Sequence, residues 1–81
     1  MDLAALTEYL VKNLVKDPDS VSVKQFEEED DMIIIEVLVS DDDMGSVIGR
    51  GGTIANAIRT IVQASSYVNG NKKVKINIDS F

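Results

Sequence analysis

The residues with the clearest chemical potential lie in one short segment, residues 48–54, which reads Ile-Gly-Arg-Gly-Gly-Thr-Ile. Gly49 can adopt backbone conformations closed to other residues, and the two glycines that follow Arg50 have no Cβ to keep another backbone at a distance. The guanidinium group of Arg50 suits phosphate. A helix that opens at Gly52 and Thr53 would aim free N–H groups and the positive end of its dipole at the same place. These features predict a phosphate cradle.

Other phosphate-binding motifs do not fit this segment. The P-loop pattern G-x-x-x-x-G-K-[ST] is absent. The dinucleotide fingerprint also fails, because two glycines stand side by side and the segment is expected to join two helices and not a strand and a helix. Residues 44–78 contain no carboxylate, so Mg²⁺ ligands and a general base are missing nearby. From composition alone, a purely structural tight turn remains the alternative.

Histidine and cysteine are absent from the 81 residues. Their absence removes disulfides, thiol nucleophiles, histidine acid–base chemistry and the common zinc sites. The acidic run Asp41-Asp42-Asp43 does not match a calcium loop, because Gly45 occupies the fifth place of the D-x-[DN]-x-[DN]-G pattern. We therefore expect no enzyme activity, no cofactor and no metal site.

The chain is shorter than the ~100–200 residues of a usual domain, which predicts one domain over residues 1–81. No apolar run approaches the ~18–20 residues that span a membrane. The start, Met1-Asp2-Leu3, lacks the basic and apolar regions of a secretory signal. These observations lead us to expect a cytoplasmic protein.

Charge is divided unevenly along the chain, which has a net charge of -6. Residues 1–43 hold three lysines and 13 acids, whereas residues 44–78 hold five cations and no acid. Such asymmetry is more informative than the total charge. It indicates that the second half of the chain tolerates or attracts anions.

The first half of the chain predicts one helix and two strands. Leucines at spacings of three and four predict an amphipathic helix over about residues 2–16, with Asp2 as its N-cap and a stop at Pro18. Alternation predicts a strand over about residues 20–27, in which Phe26 marks either a bulge or a side chain on the opposite face. Five acids, residues 27–31, are expected to form an exposed hairpin turn. The apolar run over residues 32–39 predicts a central strand, with four residues on one face. These are Ile33, Ile35, Val37 and Val39.

The second half predicts two helices and a strand. A short helix is expected over about residues 42–48, capped by Ser40 or one of the aspartates. A longer helix is expected over about residues 53–67, and its apolar face is predicted from helical spacing. That face comprises Ile54, Ala57, Ile58, Ile61, Val62 and Ser65. Asn69-Gly70-Asn71 provides turn chemistry, and a strand follows over residues 73–79 with alternate apolar residues pointing inward. Those residues are Val74, Ile76 and Ile78.

The element order is therefore helix, strand, strand, helix, helix, strand. The first two strands are expected to form an antiparallel hairpin, and the last strand, reached through a right-handed crossover, to lie parallel to its neighbour. This arrangement is α+β, with a three-stranded mixed sheet and three helices packed on one face.

Ile48-Gly49-Arg50-Gly51-Gly52 resembles the I-G-x-x-G signature of KH domains, in which a GXXG loop between two helices clamps about four single-stranded nucleotides. The residues that follow, from Ile54 to Thr60, are also similar to the helix after this loop. The element order is the type II order of that family. Length, acidity and residues 43–50 resemble the small bacterial single-KH-domain RNA-binding proteins of the KhpA type.

The resemblance implies a single-stranded RNA-binding protein, acting as a post-transcriptional regulator or RNA chaperone. One wall of the RNA groove would be formed by the helices around Ile48 and residues 54–58, and the other by the outer strand. The implied RNA-binding residues are Ile48, Gly49, Arg50, Gly51, Gly52, Thr53, Ile54, Lys73 and Lys75. Because Gly51 replaces a usually polar residue, Arg50 is the only cation of the loop, and the expected affinity is modest and sensitive to salt.

The resemblance also implies a homodimer and pairing with a larger KH-containing protein. Ile34 and Leu38, off the core face of their strand, and Ile61 and Val62 could serve such pairing, or could be core residues. An alternative function is a KH-fold protein–protein interaction module with little RNA affinity, which the acidity of residues 1–43 favours.

Overall fold

The computed structural model describes residues 2–27, 31–70 and 72–81 and confirms the predicted order of elements. The helices are α1 (Leu3–Lys12), α2 (Met44–Ile48) and α3 (Thr53–Asn69), and the strands are β1 (Ser22–Glu27), β2 (Met32–Val39) and β3 (Lys73–Ser80). Short 3₁₀ turns cover Pro18–Ser20, Asp41–Asp43 and Arg50–Gly52. None of the helices in these ranges is long and apolar enough to cross a membrane.

The sheet has the strand order β1-β2-β3, so β2 is central and β3 lies at an edge. β1 pairs antiparallel with β2, from Ser22 opposite Leu38 to Glu27 opposite Ile33, and β3 pairs parallel with β2. The register continues through Phe26, opposite Ile34, without a bulge. Phe26 therefore faces the opposite side of β1 from Val23, which was the second of the two predicted alternatives.

The hairpin turn predicted over the five acids lies partly outside the described residues, which omit 28–30. The two ends of the run, Glu27 and Asp31, are exposed. Asp31 has a φ of 58°, a conformation that aspartate tolerates in tight turns.

The core lies between the helices and one face of the sheet. The predicted face of β2 is confirmed, because its four alternating residues are between 0% and 5% exposed. Val11 of α1 and Ile58 and Val62 of α3 pack against them, and Ile76 of β3 joins the same cluster. The three helices of the described chain therefore cover one face of the sheet, as predicted.

Helix α1 begins as predicted and ends early. The Asp2 carboxylate accepts hydrogen bonds from the amides of Ala4 and Ala5, which confirms the N-cap. The predicted extension to residue 16 is wrong, because α1 ends at Lys12. The reason lies far along the chain: the Asp43 carboxylate accepts hydrogen bonds from the amides of Lys16, at 2.9 Å, and Asp17, at 3.1 Å. These bonds use amides that a longer helix would need for its own ladder.

The predicted side-chain cap of α2 is also wrong. Ser40 and the aspartates form no side-chain cap to this segment, and a 3₁₀ turn precedes a helix that begins at Met44. The hydroxyl of Ser40 instead donates to Asp43 Oδ2, at 3.0 Å. Asp43 is 1% exposed, so its carboxylate joins, inside the protein, the connection between α1 and β1 to the turn that precedes α2.

The buried face of α3 differs in part from the prediction. Ile58 and Val62 are buried as expected, and Ala55 and Ser66 join them. Ile61 is 47% exposed, so the alternative in which it is a core residue is wrong, and Ala57 of the predicted apolar face is also exposed. The stripe that includes Ile54, Ala57 and Ile61 lies beside the buried one and faces the α1 side of the protein.

Candidate nucleic-acid interface

Gly49 makes the turn between α2 and α3 possible. Its φ of 77° and ψ of 174° fall in a region that only glycine occupies readily. A Cβ at this position would also lie 2.7 Å from Ile54 Cγ1 and 2.9 Å from Ile54 N. The turn therefore requires glycine both for its backbone conformation and for its close approach to α3.

The next two glycines keep the turn open to solvent. Gly51 and Gly52 have φ values of 65° and 82°, so the backbone is kinked here and α2 does not continue into α3. No atom lies within 4 Å of a Cβ built on Gly51. Gly51 is exposed and Gly52 half-buried, so another chain can approach this backbone closely.

The turn is held together by its own amides. Gly49 N donates to Gly45 O, Gly52 N to Gly49 O and Thr53 N to Arg50 O. The hydroxyl of Thr53 also donates to Arg50 O, at 3.0 Å. The prediction that Gly52 and Thr53 present free amides is therefore wrong.

Arg50 provides the charge of the turn. Its side chain is exposed, and within the described ranges it forms no ion pair. Because residues 44–78 contain no acid, nothing in the adjoining sequence neutralises it. The arrangement presents one guanidinium beside an exposed stretch of main chain, which a phosphate group can approach closely.

The predicted apolar wall lies on the α1 side of α3. Ile48 and Ile54 are half-buried, and Ile54 packs against the core. Ile54 and Ile58 line a hollow of about 360 Å³ together with Tyr9 of α1. This hollow begins beside the glycine turn, because Thr53 also lines it.

The predicted basic wall borders a different hollow. Lys73 and Lys75 are exposed on β3 and line a hollow of about 460 Å³ at the outer edge of the strand. Arg59 and Gln63 of α3 line it as well. The structure thus does not bring the two predicted walls into one described hollow. The hollow with the lysines contains no acidic residue.

Arg59 and Gln63 are candidate site residues that sequence reasoning did not select. Gln63 Nε2 donates to Lys72 O, and Gln63 Oε1 accepts from Val74 N, both at 2.9 Å. The guanidinium of Arg59 donates from Nε and Nη2 to Ile76 O, at 3.4 and 3.3 Å. The sequence signal that could have found them is a pair of long polar side chains four residues apart on the helix that precedes an edge strand.

The described residues contain no group of three or more acidic, histidine or cysteine side chains that could hold a metal ion. Burial and hydrogen bonding do perturb one carboxylate near the site. The amide of Lys16 and the further donors from Ser40 and Asp17 outweigh burial and lower the pKa of Asp43 below its ordinary value of 3.8. Asp43 therefore acts as a structural anion at neutral pH.

The fold, the element order and the glycine turn between two helices define a KH domain of the type II order. The sequence profile described as the KhpA/KhpB KH domain matches residues 4–78. The chain therefore belongs to the KhpA/KhpB family of KH domains.

Similar proteins support this assignment across most of the chain. The chain is 47% identical over 73 residues to the RNA-binding protein KhpA of Clostridium perfringens, a match that covers 90% of this chain and 95% of the relative. It is 41% identical over 76 residues to the RNA-binding protein KhpA of Oceanobacillus iheyensis, covering 94% and 99%. RNA binding is thus the property named for both relatives.

The fold also recurs within a larger protein, Era. The chain superimposes on an Aquifex aeolicus Era variant bound to GDP and aluminium fluoride with a TM-score of 0.71 and 16% identity. It superimposes on Era in complex with MgGDPNP and nucleotides of 16S ribosomal RNA with a TM-score of 0.68 and 17% identity. The chain spans 30% and 29% of these two chains, so the likeness concerns the fold alone.

Proposed function

We propose that this chain is a non-enzymatic RNA-binding protein that holds about four unpaired nucleotides through its GXXG loop. The observation that carries the proposal is the open glycine turn, in which a Cβ built on Gly51 would meet no atom within 4 Å beyond the adjacent residues, and Arg50 stands exposed beside it. The names of the relatives support RNA as the ligand. Phosphates would lie against the turn, and Ile48, Thr53 and Ile54 would support it.

The RNA bases would extend from the turn toward the outer edge of β3, which lies beside α2 and α3. Lys73 and Lys75 would contact phosphates along this edge, and no acidic residue lines the hollow between them and α3. With Arg50 these residues give about three phosphate contacts, so the logarithm of the affinity falls with the logarithm of salt concentration with a slope of about -2 for single strands.

A site of this size gains from pairing with a second copy, because linked sites raise the effective concentration of one another. The exposed apolar surface at the α1–α3 hollow supports a homodimer: Tyr9 is 67% exposed, and Leu14 and Ile61 are also exposed. The same surface would serve a larger KH-containing partner. Such a dimer would act on RNA in the cytoplasm, as a post-transcriptional regulator or RNA chaperone.

The test is titration of a short unstructured RNA into the full chain at two salt concentrations. The Arg50→Asp/Gly51→Asp double variant is expected to lose at least about tenfold in affinity, because it replaces a cation and an open backbone position with two acids. Gly51→Asp and Gly70→Asp form a matched pair, since both add one charge at a glycine with open surroundings. Only the change in the loop is expected to weaken binding strongly.

Circular dichroism and sedimentation of the same variants verify that fold and association state are unchanged. If the unmutated chain binds RNA no better than the double variant does, the proposal fails. The interaction-module alternative, which the acidic first half of the chain favours, would then stand.

A further inference from the structure

One face of the sheet is covered by none of the described helices. Ile33 and Ile35 of β2 are buried under the helices, and successive side chains of a strand alternate in direction, so Ile34 points to the other side. Residues directly opposite each other in paired strands share a face. Phe26 of β1 and Lys75 of β3 lie opposite Ile34, so these three side chains form one row across this open face.

An apolar platform lies at one end of the open face. Phe26 is 48% exposed, and Ile34 beside it is half-buried. Met32 is also half-buried, and it points to the same side as Ile34 because it lies two residues earlier in β2. Diagonal neighbours on one face of a sheet are within reach of aromatic and long side chains. The Phe26 ring and these two side chains therefore form one apolar surface in contact with water.

Two lysines connect this platform to the hollow at the outer edge of β3. Ile76 is buried toward the helices, so Lys75 beside it and Lys73 two residues earlier point to the open face. Both lysines also line the hollow of about 460 Å³ that α3 borders from the helix side, and so does Met32, which lies opposite Lys73. The hollow therefore continues over the edge of β3 onto the open face. Phe26 lies two strand spacings further across, at about 10 Å.

The charges of the open face favour a polyanion at this end. The two rows with the lysines contain no acid among the described residues, and the acids of the face, Glu36 and Asp79, lie further along the sheet. Glu27 is the next residue of β1, but it points to the helix side, where its Oε1 lies 3.8 Å from Lys72 Nζ. A phosphate backbone that leaves the hollow over β3 thus meets two cations before it meets an acid of the described face.

We propose that the RNA strand bound at the glycine turn continues over β3 onto the open face, where an unpaired base stacks on Phe26. The inference rests on the proposed RNA-binding function and extends its footprint beyond about four nucleotides. Lys73 and Lys75 would contact the phosphates at the crossing. Every base has a face that can stack on an aromatic ring, so this contact adds affinity without sequence preference. Continuity with the hollow and the two lysines favour RNA over a second copy of the chain as the occupant.

The first experiment titrates the full chain with tetrauridine and with octauridine at one salt concentration. Phe26→Ala is expected to lower the affinity for octauridine about tenfold and to leave that for tetrauridine within about twofold, because only the longer RNA reaches the open face. Phe81→Ala is the matched control. Phe81 is also an exposed phenylalanine, at 70%, but it lies about 20 Å further along the sheet than Lys75. Its replacement is expected to leave both affinities unchanged.

A second readout keeps an aromatic ring on the platform, so it does not depend on how well Phe26→Ala folds. The chain contains no tryptophan, and Phe26→Trp therefore introduces a single fluorescent reporter. Octauridine is expected to quench its emission and to bind within about twofold of the unmutated affinity, because tryptophan also stacks on bases. Tetrauridine is expected to leave the emission unchanged. In Phe81→Trp, neither RNA is expected to change the emission.

The outcomes separate the inference from the proposed function. Octauridine affinity unchanged in Phe26→Ala, or emission of Phe26→Trp unchanged by octauridine, overturns the inference while tetrauridine binding remains. Reduced self-association of Phe26→Ala in sedimentation, without a change in RNA affinity, overturns it in favour of a second copy on the open face. Absence of binding of both RNAs to the unmutated chain refutes the proposed function itself.

Discussion

Gly49→Ala is expected to destabilise the protein more than any other alanine substitution in the glycine turn. Gly49 occupies a region of backbone space in which a side chain costs about 1–3 kcal/mol. The added Cβ would also lie 2.7 Å from Ile54 Cγ1, 2.9 Å from Ile54 N and 3.0 Å from Ile54 Cβ. Because one of these atoms is backbone, relief requires α3 to shift, at about 1–3 kcal/mol for overpacking.

The combined cost, about 2–6 kcal/mol, is large against the ~4–12 kcal/mol expected for the unfolding free energy of a chain of this length. Urea unfolding followed by circular dichroism measures it as a lower midpoint at unchanged slope. Gly51→Ala is the matched control: φ is also positive, at 65°, but no atom lies within 4 Å of the new Cβ. It is expected to cost only about 1–2 kcal/mol.

Equal midpoints for the two alanine variants would contradict the close approach of the turn to Ile54. A larger loss for Gly51→Ala would contradict the open surroundings on which the proposed RNA site depends.

Three further predictions concern the rest of the site. Asp43→Asn is expected to lower the urea midpoint at pH 7. Because folding lowers the Asp43 pKa, the stability that the ionised carboxylate contributes is fully present above pH 3.8 and disappears as the pH falls through the lower folded-state pKa. The difference in urea midpoint between the variant and the unmutated protein should therefore narrow in acid. Ile61→Asp is expected to leave the urea midpoint nearly unchanged and to reduce association in sedimentation, whereas Val62→Asp, at a position 0% exposed, is expected to unfold the chain. Equal effects of the two changes would contradict the proposed dimer surface. Lys75→Ala is expected to weaken RNA binding equally for all sequences and to reduce the magnitude of the salt slope by about 0.7. An unchanged slope would exclude a phosphate contact there.

The features that the sequence predicted well are those with local causes. The buried face of β2 follows from alternation alone, and Asp2 caps α1 through amides two and three residues away. The end of α1 could not be predicted from the local sequence. The amides of Lys16 and Asp17 donate to the Asp43 carboxylate, which lies 27 and 26 residues further along the chain. Local spacing carries no information about that partner.

The candidate site divides in the same way. Glycine spacing predicted a turn between two helices, and its position is confirmed by the elements on either side. The predicted apolar face of α3 included an exposed stripe beside the buried one, because helical spacing cannot tell which of two adjacent apolar stripes packs against the sheet. Arg59 and Gln63 were missed as site residues because their importance depends on which edge of β3 is left unpaired, a property of the assembled sheet.

The hydrogen bonds from Gly52 and Thr53 back into the turn have a kinetic consequence. A segment that has already closed on itself loses little freedom when a ligand arrives, so the entropic cost of ordering it has been met during folding. If the proposed site binds an unpaired strand, encounter would then be limited by diffusion and orientation and not by rearrangement of the protein. Weak retention of RNA by a single copy would accordingly reflect short residence times, which a second copy on the same strand would lengthen.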